Sequence, residues 1–435
     1  MDASTPRDGE TDPFILAEQK RWLDLARLGK EAWNTWAEAE LKKPLEDRVE
    51  VDFSGQEIEI SGFGDFIFPA EVDFSDARFS VKADFRAATF SAGADFIQAT
   101  FSGYADFREA TFAVYADFSQ TTFSADADFR ETTFSNYAFF TQATFSADAD
   151  FRETTFSNYA FFTQAIFSAD ADFRETTFAD ACSFNSARMK SVWQLNGARV
   201  AGSLFAHSAE IEGHAYFTAI DFNFPPNLTS TSFSQPPSFL GSTFRYPCSN
   251  WISGKCDVGD GEARFRRLKQ LAADTHDHEL ELRLFALETK AKRFHTLKLA
   301  NPLHWPGLVL NFGYGWVSDF GQSVLRPLGW LMVTILFALF AFEAMTDLPD
   351  MLARGLIDFS TAAKVAAFVN VVPFAGQAVL GREIMTKGLC PMDEGAPEYL
   401  DCLTTLYTIS AVEGVFGLIF LFLIGLGLRN RFRIK

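Results

Sequence analysis

Residues 124–145 read SADADFRETTFSNYAFFTQATF, and residues 146–167 repeat them with one change, Thr144 becoming Ile166. Within this duplicated unit a phenylalanine returns at alternating steps of five and six. The alternation runs without a miss from Phe74 to Phe184. Two steps make 11 residues and four make 22, the length of the duplication. Aromatic residues at this spacing fit neither an amphipathic helix nor a long alternating strand. They fit short straight segments, each turning one large side chain inward before a corner. Two positions before the Phe a small residue is usual, as in Ala105-Asp-Phe107, Ala127-Asp-Phe129 and Thr132-Thr-Phe134. Residues two apart in an extended segment share a face, so the small residue and the Phe point in and the residue between them points out. Four segments of 5+6+5+6 predict a four-sided solenoid with 22 residues per coil.

The register extends outward from the clean repeat. Counting on from Phe184 reaches Met189, Leu195, Val200, Ala206, Ile211, Phe217, Phe222, Leu228, Phe233, Phe239 and Phe244; counting back reaches Phe68 and Phe63. This gives about eight to nine coils over residues 51–246. At a strand spacing of about 4.8 Å the rod is roughly 40 Å long. The same period lines up the surface. Asp84, Asp106, Asp128, Asp150 and Asp172 form one column, Arg86, Arg108, Arg130, Arg152 and Arg174 the next, and Glu109, Glu131, Glu153 and Glu175 a third. Arginines between acidic columns read as a solvated, self-neutralising face. On another face Phe139 and Phe161 take the outward position, with Tyr137 and Tyr159 beside them. Outward aromatics stacked over two coils mark either a contact surface for a protein or an internal ladder.

The units AxFxx at Ala105–Glu109, Ala127–Glu131 and Ala149–Glu153 resemble those of the pentapeptide-repeat family. That resemblance implies a right-handed, four-sided β-helix. The sixth residue in every second unit departs from the plain family pattern and is expected to bulge at a corner.

The 435 residues carry a formal charge of -18, which argues against general nucleic-acid binding. The resemblance also raises DNA mimicry by an acidic rod, a reading that the arginine column opposes. Residues 1–13 read as a disordered tail. Residues 14–50 read as an N-terminal capping region, with one helix from about Pro13 to Lys42 and a stripe of Leu16, Trp22, Leu25, Leu28, Ala32 and Trp36. Residues 247–261 read as a loop; CSNWISGKC there has the wrong spacing for a metal knuckle, and its thiols are expected reduced. Residues 262–300 read as one long amphipathic helix. No catalytic motif, cofactor site or metal site is found in the sequence.

Residues 301–435 read as an α-helical membrane domain with spans at 328–345 and 403–428. Arg326 precedes the first span, and Arg429, Arg431, Arg433 and Lys435 follow the second. The positive-inside rule then places both outer ends in the cytoplasm. The polar, acidic start shows no signal peptide, which agrees with a cytoplasmic rod at a bacterial inner membrane. Residues 361–380 either lie in the interface or re-enter the membrane. Cys390 and Cys402 fall on the far side, where a disulfide between them is expected. Glu343 and Glu413 are ionisable residues in or near the spans and are functional candidates by default. Glu413 reads as neutral, paired or facing an aqueous path.

The order span, partly apolar loop, span resembles the two-span pore module of bacterial ion channels over roughly residues 320–430. Glu413-Gly414 and Gly417 lie where that module's inner helix carries a packing or hinge glycine. The filter motif TVGYG is absent, so potassium selectivity is not implied. The whole layout, including WNTW at Trp33–Trp36, SDFGQSVLRPL at Ser318–Leu328 and LRNRFRIK at Leu428–Lys435, resembles bacterial pentapeptide-repeat membrane proteins. The reading that results is a membrane-tethered scaffold facing an unidentified cytoplasmic protein. The alternative is an oligomeric ion or solute channel, which requires a homo-oligomer because two spans cannot enclose a path alone. Thiol labelling of intact cells after reduction tests the topology. Cys390 and Cys402 should react with an impermeant reagent from outside, and access from the cytoplasmic side alone would contradict it.

Overall fold

A computed structural model describes residues 13–60, 62–246, 260–295, 301–346, 361–371, 386–390 and 397–431. The expected disordered tail, the loop with Cys248 and Cys256, and residues 372–380 of the apolar loop lie outside these. The chain divides into two compact units, Met1–His295 and Thr296–Lys435.

The first unit is a parallel β-solenoid of about nine coils. Its strands are two residues long and stack into four sheets of eight, seven, nine and nine strands, one per side. Pairing between coils is parallel at an offset of 22, as in Ala105↔Ala127 and Thr111↔Thr133. The first coil is shorter. Val51 pairs with Val72 and Ile58 with Phe79, an offset of 21. The core therefore begins at Phe53 and Ile58, before Phe63, because the corner between Ile58 and Phe63 lacks the sixth residue.

The two step lengths make two kinds of corner. In a five-residue step the third residue has a left-handed backbone, as at Gln120, Glu131, Gln142 and Glu153 (φ 58–60). A turn bond closes it, for example Thr132 N–H to Phe129 O at 3.1 Å. Few side chains favour this conformation, yet it recurs every 11 residues, held by ladder bonds such as Glu131 N–H to Arg152 O. The six-residue steps, such as Phe134 to Phe140, turn instead through an open bend that absorbs the extra residue.

Inside, each Phe lies over the one 22 residues earlier. Phe129 and Phe151 have ring centroids 4.8 Å apart at 1°, and Phe151 and Phe173 4.7 Å at 0°. The spacing is that of the strands and exceeds ring-to-ring contact of ~3.5–4 Å, so the parallel rings are offset. Across the core Phe129 meets Phe140 edge to face, at 5.4 Å and 89°. Both geometries suit the ring quadrupole. Where the small inward residue is threonine, its buried hydroxyl donates to a carbonyl of the preceding coil, as Thr154 Oγ1 to Phe129 O at 2.6 Å. Beyond Phe184 the columns change. Trp193 fills an alanine site, and Leu195 and Ala206 stand where phenylalanines stood, so volume moves between positions while the core stays closed.

Helices cover both ends of the rod. Where a single N-terminal helix is expected there are two, α1 (Pro13–Arg27) and α2 (Lys30–Glu40), broken at left-handed Gly29 (φ 86). The break shifts the buried stripe to Trp22, Ala26, Trp33 and Ala37 and leaves Leu28 72% exposed. Trp33 stacks on Phe66 at 5.3 Å and donates its indole N–H to Ile67 O at 2.8 Å. Asn34 accepts from Ile67 N–H and donates to Asp65 O, standing in for the coil that would otherwise lie below. The expected long helix after the rod is likewise two, α3 (Gly261–Asp274) and α4 (His278–His295). His276 (φ 59) turns the chain, and Asp277 Oδ1 accepts from Leu280 N–H to start α4. Phe265, Leu268 and Leu284 join the rod's core. Arg264 and Arg267 donate to the carbonyls of Pro225 and Thr231 in the last coils.

The second unit contains α5 (Trp305–Ser318), α6 (Leu325–Thr346), α7 (Thr361–Val371) and α8 (Pro397–Arg431). Two stretches, Leu325–Ala344 and Tyr399–Asn430, are long and apolar enough to cross a membrane. The first is longer than its apolar core suggested, because Pro327 sits within the first turn, where the missing N–H does no harm. Helix α7 packs against both α6 and α8, with Ala363, Ala366, Ala367 and Val371 buried there.

The stacked core predicts unequal costs along one coil. Phe151→Ala should lose ~3–5 kcal/mol, read as lost hydrogen-exchange protection in the neighbouring coils. Ile166→Thr, on the outward position, should change it by less than about 1 kcal/mol. Equal losses would contradict the inward assignment.

Candidate functional site

Two sides of the rod carry opposite electrostatic designs. On the side that holds Asp84 to Asp172, every arginine from Arg108 to Arg152 bridges two coils. Arg130 Nη2 lies 2.6 Å from Asp128 and its Nε 3.5 Å from Asp150; Arg152 repeats this with Asp150 at 2.6 Å and Asp172 at 3.7 Å. Lys82 closes one end against Asp84 and Asp106. Tyr104 donates to Asp128 at 2.7 Å. The aspartates of this column are paired within the fold, while Glu109, Glu131, Glu153 and Glu175 at its corner show no ion pair among the described residues, which suits a solvated face. A corner of the opposite sheet, three residues after Asp95, Asp117 and Phe139, carries a neutral amide ladder, with each Gln from Gln98 to Gln142 donating to the next one 22 residues on.

The opposite sheet is not self-neutralised. Its outward residues run in register Asp52, Asp73, Asp95, Asp117, Phe139, Phe161 and Ser183. No ion pair to the four aspartates is found among the described residues. The positions two residues on, where the other face has arginine, hold Ser54, Ser75, Ile97 and Ser119. Asp73 and Asp117 accept instead from the backbone N–H of Ser75 and Ser119. Tyr115 lies across Gly93, where a Cβ would stand 2.4 Å from its ring. It reaches Glu71 at 2.5 Å and Asp95 at 3.3 Å with its hydroxyl. Burial and the neighbouring Asp117 raise the Asp95 carboxyl from 3.8 to about 6.

The aromatic residues expected on this face come together. Phe139 and Phe161 stack at 5.1 Å and 6°, Tyr137 lies 6.0 Å from Phe139, and Tyr159 lies 5.5 Å from Phe161. They form a ladder among themselves and also remain in part at the surface, with Tyr137 42% exposed. The contiguous acidic column was missed by sequence reasoning. Its signal was present, since subtracting 22 from Phe139 three times gives Asp117, Asp95 and Asp73.

In the second unit Glu343 and Glu413 are both buried. Neither oxygen of Glu413 has a hydrogen-bond partner among the described residues. The Asn370 amide leans toward it, but donates to Ser410 Oγ at 3.0 Å. Gly414 and Gly417 pack against α7. A Cβ on Gly417 would stand 3.0 Å from Val371 Cα and O, and one on Gly414 3.5 Å from Asn370 O. Helix α8 runs unbroken through both glycines, which lie at its close contacts with α7. Cys390 and Cys402 are joined by a disulfide. Among the described residues no group of His, Cys, Asp and Glu is arranged to hold a metal ion.

A sequence family described as pentapeptide repeats (9 copies) matches residues 63–111, 109–155 and 140–188. Residues 63–188 of the solenoid are thus similar to pentapeptide repeats, and the match stops before Trp193 alters the core. No curated protein and no solved structure matches the chain.

The raised Asp95 carboxyl fixes a sign. The folded rod holds this proton more tightly than the unfolded chain does. Stability is therefore greatest at low pH in this respect and is lost as pH rises from 3.8 through about 6. Asp95→Asn should remove that loss, raising the melting midpoint at pH 7.5 by roughly 1–3 °C and leaving it nearly unchanged at pH 4. A lower midpoint at pH 7.5 would contradict the unneutralised column.

Proposed function

We propose that the protein is a membrane-tethered scaffold whose rod docks a cytoplasmic protein through the acid–aromatic face. The observation that carries the reading is the contrast between the two faces. One pairs its aspartates with its own arginines, while the other holds four aspartates without counter-charge beside stacked Phe139 and Phe161. A partner with basic residues aligned to the column and an apolar patch aligned to the aromatics would satisfy both. Aromatic anchors flanked by polar groups are what protein interfaces use. Pentapeptide repeats supply a rigid extended surface and no reactive constellation, so the reading is a binding module and not an enzyme.

Tethering rests on α6 and α8, whose apolar residues Met332, Phe337, Val415 and Phe422 are largely exposed outside a bilayer. Under this reading the rod and both termini lie in the cytoplasm of a bacterium and α6 and α8 cross the inner membrane. A second reading, an oligomeric ion or solute pore, is favoured by the buried carboxylate of Glu413 alone. Liposomes holding the purified protein separate the two, since the scaffold gives no flux for any tested ion.

Docking is tested with a detergent extract of the host passed over the immobilised full-length protein. Phe139→Ser with Phe161→Ser should cut retention of the specific species at least tenfold, and Arg152→Ala on the opposite side should leave it within twofold. Equal retention by all three proteins would rule out the acid–aromatic face.

A further inference from the structure

The cavity between α5, α6 and α8 is unlike the rest of the molecule. It has a volume of about 470 Å³, within the usual range for small-molecule sites. Its walls include Trp316, Trp330, Phe337, Phe416 and Phe420, and among the described residues no Lys, Arg or His lines it. The indoles of Trp316 and Trp330 stand 4.3 Å apart, and the rings of Phe416 and Phe420 6.1 Å apart. Among the described residues one acidic residue belongs to this lining, Glu413, which is 4% exposed and whose two oxygens are enclosed in its wall without a hydrogen-bond partner. We propose that this cavity binds a hydrophobic organic cation, a quaternary or protonated onium centre with apolar substituents, with Glu413 as its counter-charge.

The chemistry selects this class over others. A carboxylate buried without a partner is unfavourable, and a ligand that brings its own positive charge offsets that cost. The aromatic walls attract a cation through their faces while their area accepts its apolar groups. An inorganic cation is poorly served, because calcium or magnesium needs six or more oxygen ligands, and the Glu413 oxygens are enclosed while the hydroxyls of Thr334 and Thr408 donate to carbonyls of their own helices. An anion would meet the carboxylate with no cation to offset it. The exposed edges of Trp316 and Phe337 mark an open side, through which a lipophilic ligand can enter without crossing water. This site does not depend on the rod's docking face.

The test uses the purified full-length protein in detergent with tetraphenylphosphonium as the probe. Binding is followed by radiolabelled probe in equilibrium dialysis and by tryptophan fluorescence. Saturable uptake of one probe per cavity is expected. Tetraphenylborate, of the same shape and opposite charge, should bind at least tenfold more weakly. Glu413→Gln should lower affinity for the cation at least tenfold. Val412→Trp, which fills the cavity from a surface-exposed position and keeps the carboxylate, should lower it similarly and serves as the second variant if Glu413→Gln does not fold. Uptake that never saturates, equal binding of the borate, or full affinity in both variants would overturn the proposal. So would efficient cross-linking of Val412→Cys between two copies together with no saturable uptake, which would show that a second chain fills the cavity.

Discussion

Every coil must hydrogen-bond in register with the coil beneath it, and strands of two residues leave no room for slip. That constraint sets a spacing of about 4.8 Å between side chains 22 residues apart. It stacks phenylalanine on phenylalanine inside the rod. Outside, it places aspartate on aspartate, glutamine on glutamine and tyrosine on tyrosine. A column of like groups is then either a ladder or a liability, depending on chemistry. Amides bond along the column, as Gln120 does to Gln142. Rings stack, as Phe139 does on Phe161. Carboxylates repel, and the two Asp columns show the two outcomes: one interleaved with arginine, the other left with a raised Asp95.

The same constraint makes the ends of the rod its weak points, because the first and last coils present unpaired backbone and open core. The caps answer both needs with few residues. At the N-terminal end Trp33 covers the rings of Phe53 and Phe66, and Asn34 replaces missing ladder partners. At the other end Arg264 and Arg267 of α3 take up carbonyls while Phe265 and Leu268 close the core. A solenoid without such lids would offer its edges to other chains.

The rod was legible because its signal is periodic and its side chains are large. Counting by five and six carried the core correctly through Met189, Leu195 and Ala206, where no phenylalanine remains. The count missed what a single residue decides. The shorter first coil hid Phe53 and Ile58 from it. The break at Gly29 left Leu16 and Leu28 of the expected stripe exposed while Trp22, Leu25 and Trp36 kept their place against the core, and the left-handed His276 folded one expected helix into two. The Asp73–Asp117 column obeyed the period but lacked the conspicuous arginine beside it. In the second unit Glu413 was visible as an isolated acid in an apolar run. Its cavity was not, because the walls come from three helices whose packing no local pattern encodes.

The register itself is open to direct measurement. Spin labels at cysteines replacing Thr100 and Arg188, four coils apart on one side, should lie about 19 Å apart along the rod axis. Labels replacing Arg78 and Glu210, six coils apart on the same side, should lie about 29 Å apart. Pulsed dipolar spectroscopy of the full-length protein should give two narrow distributions separated by about 10 Å. Broad distributions, or distances that do not grow with the number of coils, would contradict the stacked rod on which the face assignments rest.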